Sequence, residues 1–155
     1  MKNASKIKSN KKHSKKVFVS GCFDLFHSGH IAFLKSAASF GDLYVALGSD
    51  KNIEFLKSKK PVFSEKERLN IVSSLSFVKK AFVSKGSGLI DFSQELKSIK
   101  PDFFVVNKDG DSDLKKNLCQ SIKTQYIVLE RKPLPGLPER STTKLIAAIK
   151  NYYSK

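Results

Sequence analysis

Residues 17–34 read VFVSGCFDLFHSGHIAFL, an apolar run, a glycine and two histidines just before helical apolar spacing. Val17–Ser20 predicts a strand, and the pattern after the histidines predicts a helix. His27 and His30 would then lie about one turn apart at a helix N-terminus. Unpaired N–H groups and the helix dipole favour anions such as phosphate there. Gly29 has no Cβ, so a phosphate could approach the backbone between the histidines.

Strand and helix signals alternate along the rest of the chain. Further strands are predicted over Leu43–Leu47, Ala81–Val83, Phe103–Val106 and Tyr126–Leu129. Further helices are predicted after the Ser64-x-x-Glu67 capping box, over 89–99, over 113–122 and from Ser141 to about Tyr152. This order favours an α/β fold, a Rossmann-like parallel five-stranded sheet with helices on both faces. We predict a single domain over residues 17–155, with the ligand site at the carboxyl ends of the strands.

Nearly half of the net charge of +15 lies in the first sixteen residues. Residues 1–16 contain seven lysines and no acid, which leaves +8 for the remainder. Such a lysine- and serine-rich segment predicts a disordered basic tail. A solvated extension is the simpler interpretation. The alternative from another functional class is a nucleic-acid-binding protein that uses this tail.

The cysteines and the apolar runs indicate the cellular compartment. Cys22 and Cys119 lie far apart and form no metal-binding spacing. No apolar run is long enough for a bilayer, and the apolar stretch after the basic N-terminus is too short for a signal peptide. We therefore predict a cytoplasmic protein with free thiols and no membrane partner.

The block from Gly21 to His30 resembles the HxGH signature of the nucleotidyltransferase superfamily, particularly the small cytidylyltransferases. ADP-heptose synthases and related adenylyltransferases share much of the pattern. The resemblance spans roughly residues 17–148 and implies that His27 and His30 are catalytic. The nucleotide contacts that it implies within the block are Gly21, Cys22, Phe23, Asp24 and Gly29.

Two basic motifs follow in the family order. The loop predicted after the second strand carries Lys57 and Lys59, which the resemblance assigns to the triphosphate, with Lys57 catalytic. A solvated basic loop is the alternative. In the Glu65-x-x-Arg68 segment, the resemblance makes Arg68 a catalytic contact to the nucleotide phosphates. An i, i+3 salt bridge on a helix surface is the alternative there.

Two later segments complete the resemblance. Asp109 ends the fourth strand and is implied to orient the nucleotide or a hydrated metal ion, although Asp109-Gly110 is also a turn signal. Ser141-Thr142-Thr143 lies at a helix N-terminus and is implied to bind phosphate, whereas Ser141 could equally be an ordinary N-cap. Arg140 adjoins this helix as a nucleotide contact, with Arg131 as the alternative arginine.

The resemblance implies transfer of CMP from CTP to a small phosphorylated acceptor, with release of pyrophosphate. Adenylyl transfer from ATP by the same residues is the alternative. The cofactor expected is Mg²⁺, bound with the nucleoside triphosphate, and no protein metal ligands are predicted. The expected partners are CTP or ATP and a sugar, polyol or aminoalcohol phosphate, without nucleic acid. A homodimer is left open.

Overall fold

The computed structural model describes residues 14–154, within which the chain forms five strands and six α-helices. The strands are β1 (Lys16–Gly21), β2 (Asp42–Leu47), β3 (Val78–Val83), β4 (Phe103–Asn107) and β5 (Gln125–Leu129). The helices are α1 (Ser28–Ala38), α2 (Asp50–Lys57), α3 (Glu65–Ser73), α4 (Ser93–Ile99), α5 (Asp113–Ser121) and α6 (Thr142–Tyr153). A 3₁₀ turn (Lys108–Gly110) follows β4. The predicted alternation of strands and helices is confirmed.

The sheet is parallel throughout, in the order β3-β2-β1-β4-β5. The predicted Rossmann-like sheet in a single α/β domain is therefore confirmed. From β1 the chain moves outward to β3 and then returns to place β4 on the other side of β1. This reversal makes the crevice between the carboxyl ends of β1 and β4 the expected ligand site.

Helices cover both faces of the sheet. Successive side chains of a strand point to opposite faces, so both sets are buried. Val19 packs on one side in a cluster with Leu34 of α1 and Val72 of α3. Phe18 packs on the other side with Leu96 of α4. The core thus fixes β1 from both faces, and the histidine block follows directly from its end.

Helix α2 occupies a segment where the sequence predicts a loop. Ile53 is buried whereas Phe55 is exposed, as expected for residues two apart on opposite sides of a helix. Ser49 caps it, and its Oγ accepts the N–H of Asn52 at 3.1 Å. Lys57 is consequently the last residue of a helix, and the lysine-rich loop begins only after it.

Helix α4 begins at Ser93, four residues later than the predicted helix over 89–99. The preceding segment is a loop whose Phe92 packs on the sheet against Phe18 and Phe104. Asp91 and Phe92 are both buried there, and the carbonyl of Asp91 accepts the N–H of Gly86 at 3.0 Å. Apolar spacing alone did not separate this loop from the helix.

The sequence predicts a disordered tail over residues 1–16. Residues 1–13 of this tail lie outside the described residues. Lys15 donates from Nζ to Asp102 at 2.8 Å, and β1 begins at Lys16, one residue before the predicted strand. Across residues 14–154, none of the helices combines the length and the hydrophobicity that a membrane span requires.

Candidate active site

His27 caps α1, and His30 occupies the third position of the helix. The Nδ1 of His27 accepts the N–H of Gly29 at 3.1 Å, and the Nδ1 of His30 accepts the N–H of His27 at 3.3 Å. The two rings stack with their centroids 3.8 Å apart. Because backbone N–H groups occupy both Nδ1 atoms, each neutral ring carries its proton on Nε2. The pair therefore offers two Nε2–H donors at the N-terminus of α1.

Both imidazoles are neutral at pH 7. The pKa of His30 is lowered to about 3, mainly by burial and then by the charges of His27 and Arg131. Burial also lowers the pKa of His27, followed by the charges of Arg131 and Arg140. A neutral imidazole can still donate a hydrogen bond, so the pair is suited to hold an anion without itself being charged.

Three cations act electrostatically on this pair. Arg131 and Arg140 lower the pKa of His27, and Lys57 is among the charges that lower the pKa of His30. They come from three separate segments, namely the end of α2, the stretch after β5 and the stretch before α6. Lys59 is exposed in the loop after α2. The fold thus gathers positive charge around the histidines, which favours a polyanionic ligand.

Arg68 is fully buried. Its guanidinium donates to the carbonyls of Cys22 at 2.6 Å, Gly48 at 2.9 Å and Phe63 at 3.1 Å, and to the Asp50 carboxylate at 2.6 Å. A contact to nucleotide phosphates would require the side chain to leave these bonds, because none of it is exposed. The surface-pair alternative does not describe it either, since Asp50 of α2 is its acidic partner. In this position Arg68 joins the carboxyl ends of β1 and β2 to the start of α3.

The residues predicted as nucleotide contacts near the start of the block are largely occupied by the protein. Gly21 accepts the N–H of Gly48 at 3.1 Å through its carbonyl. A Cβ on Gly21 would lie 2.9 Å from the Phe23 ring. Phe23 is buried with its ring edge against His30, at a centroid distance of 5.4 Å. Cys22 offers its carbonyl to Arg68, and its thiol is free.

Asp24 receives backbone N–H groups on both carboxylate oxygens. Oδ1 accepts the N–H of Leu25 at 3.0 Å and of Phe63 at 2.9 Å, and Oδ2 accepts that of Val62 at 2.8 Å. The side chain therefore faces the chain segment that follows the lysine loop. Its nucleotide contact stays a prediction.

The N-terminus of α6 lies against the histidine block. Ser141 is the N-cap, and its Oγ accepts the N–H of Lys144 at 3.2 Å. Thr142 donates from Oγ1 to the carbonyl of Asp24 at 3.1 Å, whereas Thr143 is exposed. The predicted Ser-Thr-Thr helix is thus brought to the site, with the Ser141 hydroxyl engaged in capping.

Gly29 is needed for this docking. A Cβ at this position would lie 2.9 Å from the carbonyl oxygen of Arg140 and 2.9 Å from Cε1 of His27. The space that a Gly29 side chain would fill is therefore taken by the segment that carries Arg140, and the approach of a phosphate at this backbone stays a prediction.

Asp109 lies in the 3₁₀ turn after β4 and pairs with Arg131, which follows β5. The carboxylate thus orients one of the cations that act on the histidines. Sequence reasoning named both residues but not their pairing.

A shallow open pocket adjoins the pair, between α1 and the ends of β4 and β5, with internal room of about 10 Å³, which is about the space of one water. Gly29, Phe33, Asn107 and Arg131 are among its lining residues. Within residues 14–154, no group of three or more His, Cys, Asp or Glu side chains converges where a metal ion could bind. The described residues therefore place a shallow concave surface, two N–H donors and several cations together, with no cluster of metal ligands among them.

Asp50 is the residue that sequence reasoning missed. Besides holding Arg68, its Oδ2 accepts the N–H of Glu65 at 3.0 Å, while the Glu65 carboxylate accepts the N–H of Asp50 at 2.9 Å. These reciprocal bonds cap α2 and α3 against each other. The available signal was the acidic residue in the first turn of each helix, but pairing across 15 residues has no local pattern.

The chain resembles known proteins over most of its length. Residues 18–148 match the family model described as Cytidylyltransferase-like. The Bifunctional protein HldE of Campylobacter fetus subsp. fetus (strain 82-40) is 34% identical over 136 residues, which are 86% of this chain and 28% of that protein. The HldE of Helicobacter pylori (strain HPAG1) is 43% identical over 95 residues, 60% of this chain and 20% of that protein. The chain thus spans only 20% to 28% of the length of these HldE proteins.

A shorter relative is covered more fully. The FAD synthase of Methanococcoides burtonii is 38% identical over 107 residues, which are 66% of this chain and 71% of the synthase. Among solved structures, the lipopolysaccharide core biosynthesis protein from Thermoplasma volcanium GSS1 superposes with a TM-score of 0.64 at 28% identity. That match covers 78% of this chain and 98% of the other. The chain belongs to the cytidylyltransferase-like family, and its enzyme class is nucleotidyltransferase.

Proposed function

We propose that the protein transfers AMP from ATP to a small phosphorylated acceptor, with release of pyrophosphate. The observation that carries this proposal is the neutral histidine pair at the N-terminus of α1, surrounded by cations. The relatives HldE and FAD synthase favour adenylyl transfer. CTP is the second candidate, because the histidine block, the lysine loop and the Ser-Thr-Thr helix resemble the small cytidylyltransferases.

The chemistry is an in-line displacement at the α-phosphorus. An acceptor phosphate oxygen forms the new P–O bond while the bond to the α,β-bridging oxygen breaks, and pyrophosphate leaves with its electron pair. The acceptor phosphate is already ionised at neutral pH, so the protein need not supply a strong base. Catalysis then depends on alignment and on charge stabilisation.

The histidines would act as donors to the α-phosphate. The Nε2–H groups of His27 and His30 would bond its non-bridging oxygens as they gain charge in the five-coordinate transition state. Lys57, Arg131 and Arg140 would neutralise the remaining phosphate charge, with Lys59 following the leaving pyrophosphate. Arg68 would act indirectly, by holding the ends of β1 and β2 in place.

The pocket beside Gly29 is the proposed place for the base and ribose. It adjoins Gly29 and lies at the ends of β4 and β5, and its room of about 10 Å³ would have to widen to admit them. A mismatched edge would leave buried groups unpaired at about 1–3 kcal/mol each, so one or two contacts would separate ATP from CTP.

Mg²⁺ is proposed to arrive with the nucleotide. This ion keeps several waters and binds mainly through substrate phosphates, which suits a chain whose described residues form no carboxylate cluster. When bound, it would shield the triphosphate charge. No side chain of the protein is assigned to it.

The test is pyrophosphate release with each of four nucleoside triphosphates. The acceptor panel contains sugar phosphates, polyol phosphates, aminoalcohol phosphates and flavin mononucleotide. We expect turnover with ATP, together with a loss of roughly 10²–10³-fold in His27→Ala and His30→Ala, the size typical of one missing transition-state donor. Near-normal turnover in either variant would exclude the proposed histidine roles, and a kcat/KM ratio favouring CTP would refute the choice of ATP.

The lysine role has a matched control. Lys57→Ala should raise the KM for the triphosphate, because a cation near His30 is lost. Lys79→Ala removes an exposed lysine from β3 that pairs weakly with Asp42, at 3.9 Å, near the opposite end of the strands. It should leave KM unchanged. Equal effects of the two variants would show that only overall charge matters.

A further inference from the structure

Asp24 connects the histidine block to the segment after the lysine loop. Its carboxylate accepts the backbone N–H groups of Val62 at 2.8 Å and Phe63 at 2.9 Å, across 38 and 39 residues of sequence. The same carboxylate accepts the N–H of Leu25 at 3.0 Å, which fixes its orientation within its own loop. Charge-assisted bonds of this kind are stronger than those between neutral groups.

Phe63 is held from both sides. Its N–H donates to Asp24, and its carbonyl accepts from Nε of Arg68 at 3.1 Å. Arg68 in turn is bonded to Asp50 at the first turn of α2. The exposed residues between Lys57 and Pro61 therefore span two fixed points, the end of α2 and the anchored pair Val62-Phe63.

A third segment meets the same residue. Thr142 of α6 donates to the backbone carbonyl of Asp24 at 3.1 Å. Asp24 thus contacts the residues after the lysine loop through its side chain and the N-terminus of α6 through its main chain. Both neighbours carry groups that the proposed function assigns to phosphate.

The sign of its charge argues against a direct phosphate contact. A carboxylate beside a triphosphate is repulsive unless a cation lies between them, and both Asp24 oxygens already accept N–H groups. We propose that Asp24 is a positioning residue that holds the lysine loop against the histidine helix, so that triphosphate binding depends on it without contact. This inference rests on the proposed nucleotidyl transfer.

The test begins with Asp24→Asn, which keeps the size but accepts fewer N–H groups. Amide hydrogen exchange at Val62 and Phe63 should become faster, and the Kd for ATP should rise about tenfold, the size expected when roughly two exposed charge contacts are weakened. The matched control is Asp102→Asn. Its carboxylate also accepts a backbone N–H, from Lys16 at 2.8 Å, but at the amino end of the sheet. It should change neither quantity.

A double-mutant cycle separates positioning from general destabilisation. In a Lys57→Ala/Lys59→Ala background, Asp24→Asn should weaken ATP binding much less than in the wild type, because the loop no longer carries the charges that it positions. If the full effect persists without the lysines, or if Val62 and Phe63 exchange at the wild-type rate in Asp24→Asn, the inference is overturned. Amide exchange at Val62 and Phe63 should be faster in Asp24→Ala than in Asp24→Asn. If Asp24→Ala does not fold, Asp24→Asn alone provides the test.

The two proposals fail in different ways. If the wild-type protein binds no nucleoside triphosphate by calorimetry, the proposed function falls, and with it the effect of Asp24 on binding. Unchanged exchange in Asp24→Asn with normal ATP turnover in the wild type would overturn the positioning role alone.

Discussion

Replacing His30 with asparagine should make the protein more resistant to acid. The side-chain oxygen of asparagine can accept the His27 N–H in place of Nδ1, but it does not titrate. In the wild type, burial lowers the pKa of His30 to about 3 in the folded state, from an ordinary value of 6.5. As the pH falls below 6.5, the unfolded chain takes up a proton at this ring whereas the folded chain does not. The free energy of unfolding must therefore decrease as the pH falls from 6.5 towards 3.

The size of the effect follows from the pKa difference. At pH 5 the solution lies 1.5 units below the pKa of this ring in the unfolded chain, whereas the folded ring is still neutral. This difference in proton binding lowers the free energy of unfolding by about 2 kcal/mol, at 1.36 kcal/mol per unit. Partial exposure of the ring reduces this to roughly 1–2 kcal/mol. The other titrating groups are common to both proteins, so their contributions cancel in the comparison.

The measurement is urea unfolding of the wild type and His30→Asn at pH 7.5 and pH 5.0. We expect the wild type to lose about 1–2 kcal/mol more stability than the variant between these two values. Any loss from the smaller side chain is present at both pH values and does not affect this difference. Equal losses in the two proteins, or a His30 ring that titrates near pH 6.5 by NMR, would refute the reasoning.

Three further outcomes are expected. Arg68→Met should destabilise the fold by about 3–5 kcal/mol in urea, because it leaves the carbonyls of Cys22, Gly48 and Phe63 without their donor, at about 1–3 kcal/mol each. Normal stability with a raised KM for ATP would instead support a direct phosphate contact. Gly29→Ala should lower kcat at least tenfold, because its Cβ displaces the Arg140 carbonyl or the His27 ring, whereas Gly110→Ala, with 3.7 Å to the nearest atom, should not. Deletion of residues 1–13 should leave turnover unchanged, since this segment has too few apolar residues to join the core; a large loss of kcat would show that it contributes to the site.

The neutral state of the histidines also bears on the reaction. Because a backbone N–H fixes Nδ1 of His30 and burial lowers the pKa of this ring to about 3, its Nε2–H donor does not depend on protonation between pH 5 and 8. A charged pair would bind the triphosphate tightly in its ground state as well as in the transition state. Neutral donors, with the charge supplied by surrounding cations, leave more of the interaction to develop as the α-phosphate gains charge.

The sequence by itself determined the features that depend on neighbours along the chain. The strand before Gly21, the capping box of Ser64 and Glu67 and the N-cap at Ser141 are all confirmed. Each rests on contacts within three or four residues or on alternation of apolar side chains, so a local pattern contains the needed information. The parallel sheet followed as well, because short strands separated by helices leave few other arrangements.

Only the tertiary structure decided what several of these residues contact. Glu65-x-x-Arg68 has the spacing of a surface ion pair, yet Arg68 bonds to groups 18 to 46 residues away as well as to nearby Phe63. Asp24 bonds to the segment after the lysine loop across 38 and 39 residues. A buried guanidinium or a shared carboxylate is stable only where all its partners converge, and folding of the whole sheet brings them together. Sequence spacing identified the residue types of the site, whereas packing assigned which would face a ligand and which hold the others in place.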